Sequence, residues 1–515
     1  MSINPAVAEA LTLLFLSVSG VSIAGVLGVR KVFPLVSAGL AGAVVTRLLT
    51  AFATWSLGLH AWIYEAWLAL AAGLIIWATI QLHQHWRPLL TAIAVMAGLS
   101  GVSIWTKYGL AVGERHHSDV SQVLGMAIVV FQAEAADLSS AADNYKRGVA
   151  YPLMLALGPD GRILSGFTPL IFLVILLTIA WVAWEMLADR VKARWFVASA
   201  AALMSFSLSV PMFRAAMFYL NAHTLMAFGI LLMISGVLLA RKSGRYGATA
   251  STLVFFGGVI GVTSRIEGVL LVLVVLAALA SERWWANTTD RIRFFATASI
   301  TGLMLTWWIG SMKSPVIERI VGGQDSGPIL LLITIGSLIG PLVIAMKWFD
   351  GFRPFVRPAL AALLAILLVA EVINSDEPVQ LVMSQWPNLG LGAGGWGTAA
   401  SAFVGSAVLL GLAQRSEQYR WLLRMSLILI AAVLVSKTFD GGGGFGWGSF
   451  YDSVNRMWLH VMPTVALTTL IGYSELLQKA ASGNKDPSAP TGQGTTVMPG
   501  LREVDSSRGL SRGQS

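Results

Sequence analysis

The chain has 515 residues, of which 56% are hydrophobic and 12% are charged, and its mean hydropathy is +0.72. This composition excludes an ordinary soluble protein. The formal charge of +9 does not indicate nucleic-acid binding, because Lys and Arg in such chains chiefly set membrane orientation. The sequence contains no cysteine, which excludes disulfides, thiol catalysis and Cys-ligated metals.

Apolar runs long enough for a helix to cross about 30 Å of hydrocarbon recur along the chain. They predict an all-α, polytopic helical membrane protein with about fifteen transmembrane helices. The predicted spans are residues 6–28, 33–56, 61–82, 88–106, 167–187, 195–213, 222–240, 247–264, 267–281, 294–311, 327–346, 357–373, 397–414, 421–436 and 458–476. The ninth span is short.

Basic residues collect in alternate joints between the spans. These joints hold Arg30 and Lys31; Arg87; Arg190, Lys192 and Arg194; Arg241, Lys242 and Arg245; Arg283, Arg291 and Arg293; Lys347, Arg353 and Arg357; and Arg415 and Arg420. The positive-inside rule places this set in the cytoplasm. We therefore expect a multi-pass protein with its N-terminus outside and its C-terminus in the cytoplasm. The absence of cysteine and the compact loops fit a bacterial inner membrane. Residues 477–515 are rich in Gly, Ser and Pro, which predicts a disordered cytoplasmic tail.

The longest polar stretch, residues 107–166, follows the fourth span and falls on the predicted outer side. Asp119 lies early in it and could accept a proton from an attacking hydroxyl. Asp119 could also cap a helix beginning at Val120, and the two roles are compatible. His116 and His117 fit polar or substrate contacts better than a divalent-metal site, because no second ligand cluster supports a metal. We expect no cofactor.

Several basic residues lie at the outer ends of spans, against the orientation bias. An anionic partner such as a lipid phosphate would explain Arg214, Arg265 and Arg456. For Arg265, an internal ion pair with Glu267 is an equally good interpretation. His223 begins the seventh span, and His460 follows Arg456 by one helical turn, a spacing that suits a phosphate contact.

Two charges lie within or at the edge of spans, Arg47 and Glu65. Charges inside a membrane are candidates for function by default. A pair between the second and third spans is the alternative interpretation.

The fourth span leads to HHSD, then to QVLGMAIVVFQAEAADL and YKRGVAYPLMLAL, and later segments read SRIEGVLLVLVVLA and RMWLHVMP. The order of these segments resembles the GT-C glycosyltransferases, integral-membrane enzymes that use a polyprenyl-phosphate-linked sugar as donor. The resemblance implies a core over residues 88–476, an outer loop 107–166 with amphipathic helices, and extra transmembrane helices over residues 1–87.

The motif here is His-Ser-Asp, where two acids are common in that family, and this departure favours a metal-independent inverting transfer over a metal-dependent one. The resemblance also implies the site residues. Asp119 would be the catalytic carboxylate, and the substrate-binding set would be His117, Arg214, His223, Arg265, Arg456 and His460. The partners would be a lipid-linked sugar donor, a glycan or lipid acceptor and the membrane, without nucleic acid.

Two other functions compete with this one. A transporter or lipid flippase would use Arg47 or Glu65 in a mid-membrane cavity. An enzyme of the O-antigen ligase or polymerase type would use outer Arg and His residues on lipid-linked glycans, although such enzymes usually carry the large loop late in the chain.

Overall fold

The computed structural model describes residues 4–59, 62–109, 123–124, 127, 148–157, 163–218, 222–282, 287–311, 327–374, 398–413, 416–436 and 456–483. Within these ranges every regular element is a helix and no strand occurs. Nine of the helices described there are long and apolar enough to cross a membrane. The prediction of an all-α multi-pass membrane protein is therefore confirmed for the described ranges, while the exact number of crossings stays a prediction.

We number the α-helices in chain order. They are α1 (Pro5–Val26), α2 (Val32–Ser56), α3 (Ile63–Gln81), α4 (Trp86–Ile104), α5 (Ala150–Leu155), α6 (Phe167–Leu187), α7 (Ala193–Ser209), α8 (Pro211–Phe218), α9 (Ala222–Ser243), α10 (Ala248–Ser264), α11 (Gly268–Ala280), α12 (Thr288–Ser311), α13 (Gly327–Ala345), α14 (Arg353–Asn374), α15 (Ala399–Ala413), α16 (Glu417–Ser436) and α17 (Met462–Gly483).

Each of the predicted spans overlaps one of these helices, but the sixth is interrupted. Helix α7 ends at Ser209, the backbone of Val210 is extended, and α8 begins at Pro211. A proline disfavours helical geometry in the residue before it. Hydropathy alone cannot detect such a break, since Val210 and Pro211 are themselves apolar.

Glycines allow the closest helix contacts in the bundle. A Cβ atom on Gly20 of α1 would collide with the carbonyl oxygen of Gly39 in α2, and one on Gly257 of α10 would collide with that of Gly229 in α9. Helices in lipid associate by close backbone packing at small residues. The pairs α1–α2 and α9–α10 therefore pack backbone against backbone.

The basic joints predicted to share one side of the membrane do meet at one end of the bundle. The ion pairs there are Lys31 with Glu185, Arg190 with Glu475, Arg241 with Glu282 and Glu417, and Arg357 with Glu282. We call this end the arginine face. The opposite end, where α9 and α11 begin and α10 ends, is the histidine face. Helix α1 begins at the histidine face and α17 ends at the arginine face, as an odd number of crossings requires.

Candidate functional site

Two histidines from distant parts of the chain meet at the histidine face. His223 lies in the first turn of α9, and His460 ends a short 3-10 helix, Trp458–His460, that leads into α17. The Nδ1 atom of His223 lies 2.8 Å from the Nε2 atom of His460, and the rings stack with centroids 4.9 Å apart. Both side chains are buried. One of the two nitrogens must donate and the other accept, so the rings share a proton.

Arg265 occupies the turn between α10 and α11, next to this pair. Its Nε and Nη2 atoms donate to the two carboxylate oxygens of Glu267 at 3.1 and 2.9 Å, and both side chains are buried. The ion pair considered from the sequence is therefore present. Arg265 also lies close enough to His460 to interact with it electrostatically.

Arg456 lies one helical turn before His460 and is buried as well. Burial lowers the pKa of Arg456 to about 10, so its guanidinium stays protonated at neutral pH. Glu267 offsets the charge of Arg265. When both histidines are neutral, the net charge is +1 for the group formed by His223, Arg265, Glu267, Arg456 and His460. We call them the histidine cluster.

One imidazole nitrogen of the histidine cluster has no hydrogen-bond partner among the described residues. Within the described part of the chain, the Nδ1 atom of His460 has no hydrogen-bond partner although it is fully buried. Buried polar atoms are normally paired, so an exception of this kind is a candidate ligand contact. Positive charge and an open imidazole nitrogen together suit an oxyanion or a hydroxyl group.

The C-terminal end of the long polar loop packs beside the cluster. The amide of Val149 donates to the carbonyl of Thr263, at the end of α10, at 2.9 Å. Gly148 has a φ of +53°, and a Cβ atom there would collide with the same carbonyl. This contact holds α5 against the turn that carries Arg265.

A buried carboxylate on α1 joins both ends of the same loop. Glu9 accepts from the hydroxyl of Tyr108, at the start of the loop, and from the amide of Gly166, at its end, both at 2.5 Å. Sequence reasoning missed Glu9. The signal was available, because Glu9 is an acid inside an apolar span, the same feature that identified Arg47 and Glu65.

The other predicted site residues are not part of the histidine cluster. Arg214 is exposed on α8, and no described contact links it to the cluster. Asp119, His116 and His117 lie outside the described residues. Among those that are described, no group of three or more His, Asp or Glu side chains is placed to hold a metal ion.

Arg47 and Glu65 do not form the ion pair considered from the sequence, as far as the described contacts show. Arg47 is buried, donates to the carbonyl of Ile63 at 2.8 Å and lies 5.9 Å from the ring centre of Trp67. Glu65 is exposed on α3. The backbone carbonyl and the indole ring contact this buried cation directly, and Glu65 interacts with it electrostatically without a direct ion pair.

A small apolar crevice of about 40 Å³ opens beside the histidine cluster. Its lining includes Thr224 and Leu459, the chain neighbours of the two histidines, together with Phe213 and Met462. It lies between α6, α8 and α17, and none of the five residues of the histidine cluster lines it.

No protein-family model matches this chain, and no curated protein or solved structure matches it either. The function is therefore inferred from the charge, burial and open nitrogen of the histidine cluster and from the loop that packs beside it.

Proposed function

We propose that this protein is a membrane glycosyltransferase that moves a sugar from a polyprenyl-phosphate donor to an acceptor hydroxyl at the histidine face. One observation carries the proposal. A buried cluster of net positive charge, with an unsatisfied nitrogen on His460, lies beside the docked end of the loop that contains Asp119.

Arg456 and His460 would bind the phosphate of the donor. A phosphate oxygen accepts strong hydrogen bonds from guanidinium and imidazole N–H groups, and burial strengthens them because water does not compete. Arg265 is already held by Glu267, so it would act through its charge on His460 and not as the main phosphate ligand.

The transfer would be a single displacement. The oxygen of the acceptor hydroxyl forms a bond to the anomeric carbon as the bond from that carbon to the phosphate oxygen breaks. The electron pair of the broken bond leaves with the lipid phosphate, and the hydroxyl proton passes to the carboxylate of Asp119. The cluster would stabilise the negative charge that develops on the leaving phosphate. Stabilisation of developing charge is usually the largest single contribution to the rate of an enzymatic reaction.

Sugar release from a panel of radiolabelled polyprenyl-phosphate sugars by the purified protein tests this function. We expect turnover with one donor and its loss in Asp119→Asn. Asp137→Asn, which removes another carboxylate from the same loop, is the matched control and should keep full activity. Intact donors throughout, together with movement of lipid-linked substrate across liposomes, would instead identify a flippase.

A second candidate is an enzyme of the O-antigen ligase type, which acts on a glycan linked to lipid pyrophosphate. The direct contact between His223 and His460 favours it, since the cluster then holds its own proton acceptor. Turnover of a pyrophosphate-linked glycan that survives Asp119→Asn but not His460→Gln would identify this function.

A further inference from the structure

A polar cavity of about 710 Å³ lies at the arginine face, away from the histidine cluster. Its charged lining consists of three arginines and three carboxylates, namely Arg241, Arg353, Arg357, Glu282, Asp350 and Glu417. The formal charges of these six side chains cancel. Such a lining suits a ligand that carries both a positive and a negative charge better than a simple anion.

The inner part of this cavity is held by its own contacts. The carboxylate of Glu282 accepts from Arg241, from Arg357 and, at 3.1 Å, from the indole N–H of Trp421, and only 9% of its side chain is exposed. Arg353 binds Asp350 at 2.7 Å and the carbonyl of Ala280 at 2.8 Å. These contacts fix the charged groups in place before any ligand arrives.

The accessible part of the cavity presents one cation and two anions. The side chains of Arg357 and Asp350 are each 45% exposed, and that of Glu417 is 84% exposed. A phosphate can therefore approach the guanidinium of Arg357 while an ammonium group approaches the two carboxylates.

An apolar groove of about 670 Å³ adjoins the polar cavity. Ala280 and Val356 line the groove, and the next residues along the chain, Ser281 and Arg357, line the cavity. The groove follows α11, whose 13 residues extend for about 20 Å. Half of the hydrocarbon core is about 15 Å thick, so an acyl chain from one leaflet fits along it. Helix α13, which has no buried residue, forms one wall of the groove through Ile333, Gly336 and Gly340.

We propose that the cavity and the groove together bind a phospholipid with a zwitterionic primary-amine headgroup, of the phosphatidylethanolamine class. The phosphate accepts from Arg357, the ammonium donates to Asp350 and Glu417, and one acyl chain occupies the groove. A choline headgroup has no N–H to donate to the carboxylates, and an anionic glycerol headgroup has no cation to place beside them. This site is independent of the glycosyltransferase proposal.

Native mass spectrometry of the purified full-length protein tests the headgroup. Phosphatidylethanolamine, phosphatidylcholine and phosphatidylglycerol with identical acyl chains are added at equal concentration, and the retained lipid is counted. We expect the wild type to prefer phosphatidylethanolamine. Glu417→Gln should lower its retention by about tenfold, the loss expected for a charge-assisted hydrogen bond, and should leave phosphatidylcholine unchanged. Glu65→Gln, the same change on the exposed surface of α3, is the control.

A second variant tests the groove. Gly336 lines it, and a Cβ atom added there meets nothing within 4 Å, so Gly336→Leu adds bulk at the wall of the groove without a clash at its Cβ atom. Retention of all three lipids should fall in this variant. Equal retention of phosphatidylethanolamine and phosphatidylcholine by the wild type would overturn the proposal. So would a preference for phosphatidylglycerol, or an ethanolamine preference that survives both Glu417→Gln and Arg357→Gln.

Discussion

Burying Arg265, Arg456 and two imidazoles removes several polar groups from water, which costs free energy that only direct contacts recover. Glu267 compensates Arg265 through two hydrogen bonds, and each histidine satisfies one nitrogen of the other. The remaining net positive charge is the part of the histidine cluster that a bound anion would neutralise. Keeping this buried positive charge without a counter-ion costs free energy, as expected of a site that binds an anion.

Gly148 gives a direct test of the loop contact at this site. Its φ of +53° disfavours a side chain, and the carbonyl of Thr263 leaves no room for a Cβ atom. We expect Gly148→Ala to lower the free energy of unfolding by at least about 1–2 kcal/mol, the cost of a left-handed residue with a Cβ atom. Gly101→Ala, within α4 and with open space around it, should raise that free energy by up to about 1 kcal/mol. Thermal unfolding in detergent measures both, and a Gly148→Ala variant as stable as the wild type would contradict the described contact.

Contacts between residues close together in the chain could be predicted from the sequence, whereas contacts between distant residues could not. The pairing of Arg265 with Glu267 was foreseeable because they are only two positions apart in the chain. The contact between His223 and His460 joins residues 237 positions apart. Both were candidates from their places at span ends, but only the packing of α9 against the start of α17 brings them together.

At the level of elements, Glu9 connects α1 to both ends of the long polar loop. We expect Glu9→Ala to remove two hydrogen bonds to a charged acceptor, each worth about 1.5–3 kcal/mol, and to loosen the loop ends. Hydrogen exchange of peptides covering residues 148–157 and 163–166 should become faster, while peptides from α9 and α10 should not change. Glu65→Ala on α3 is the control. Unchanged exchange in the loop-end peptides would show that Glu9 does not hold the loop.

The short 3-10 helix Lys347–Gly351, between α13 and α14, carries Asp350 and gives a pH-dependent prediction. Partial burial would raise the pKa of Asp350, but hydrogen bonds from Arg291 and Arg353 outweigh it and hold the pKa below its usual value of 3.8. A lowered carboxylate pKa contributes stability above the unfolded-state value, and this contribution is lost as the pH falls through the lowered pKa.

Asp350→Asn should therefore unfold at a lower temperature than the wild type at pH 7, and the difference should shrink below about pH 4. The effect should be modest because the carboxylate is 45% exposed, which lets solvent screen the ion pairs. Unfolding temperatures of both proteins between pH 7 and pH 3 measure it. A constant difference across that range would contradict the ion-pair explanation.

Helix positions were largely predictable because long apolar runs reflect the thickness of the bilayer. The break at Pro211 was missed because the sixth span was drawn from hydropathy, whereas proline acts through backbone geometry. The packing partners were not predictable either, since α9 and α10 approach through glycines that carry no hydropathy signal.

In the whole molecule, successive joints between the predicted spans lie at opposite ends of the bundle. The orientation of the protein in the membrane can therefore be tested. The chain contains no cysteine, so single cysteines report accessibility without background. Leu57→Cys, exposed at the histidine face, should react with an impermeant maleimide in intact cells, whereas Ser243→Cys at the arginine face should react only after permeabilisation. The opposite pattern would reverse the predicted orientation, and equal access for both would exclude the two-faced arrangement.

The most direct test of the central claim is donor turnover by His460→Gln beside His85→Gln, a change at an exposed histidine of the 3-10 helix His83–His85. If the histidine cluster acts on the lipid phosphate of a sugar donor, His460→Gln should lose about a hundredfold or more in turnover, as happens when one contact to a developing charge is removed. His85→Gln should retain wild-type turnover. Equal turnover by the two variants, with both folded, would show that the histidine cluster does not take part in the reaction.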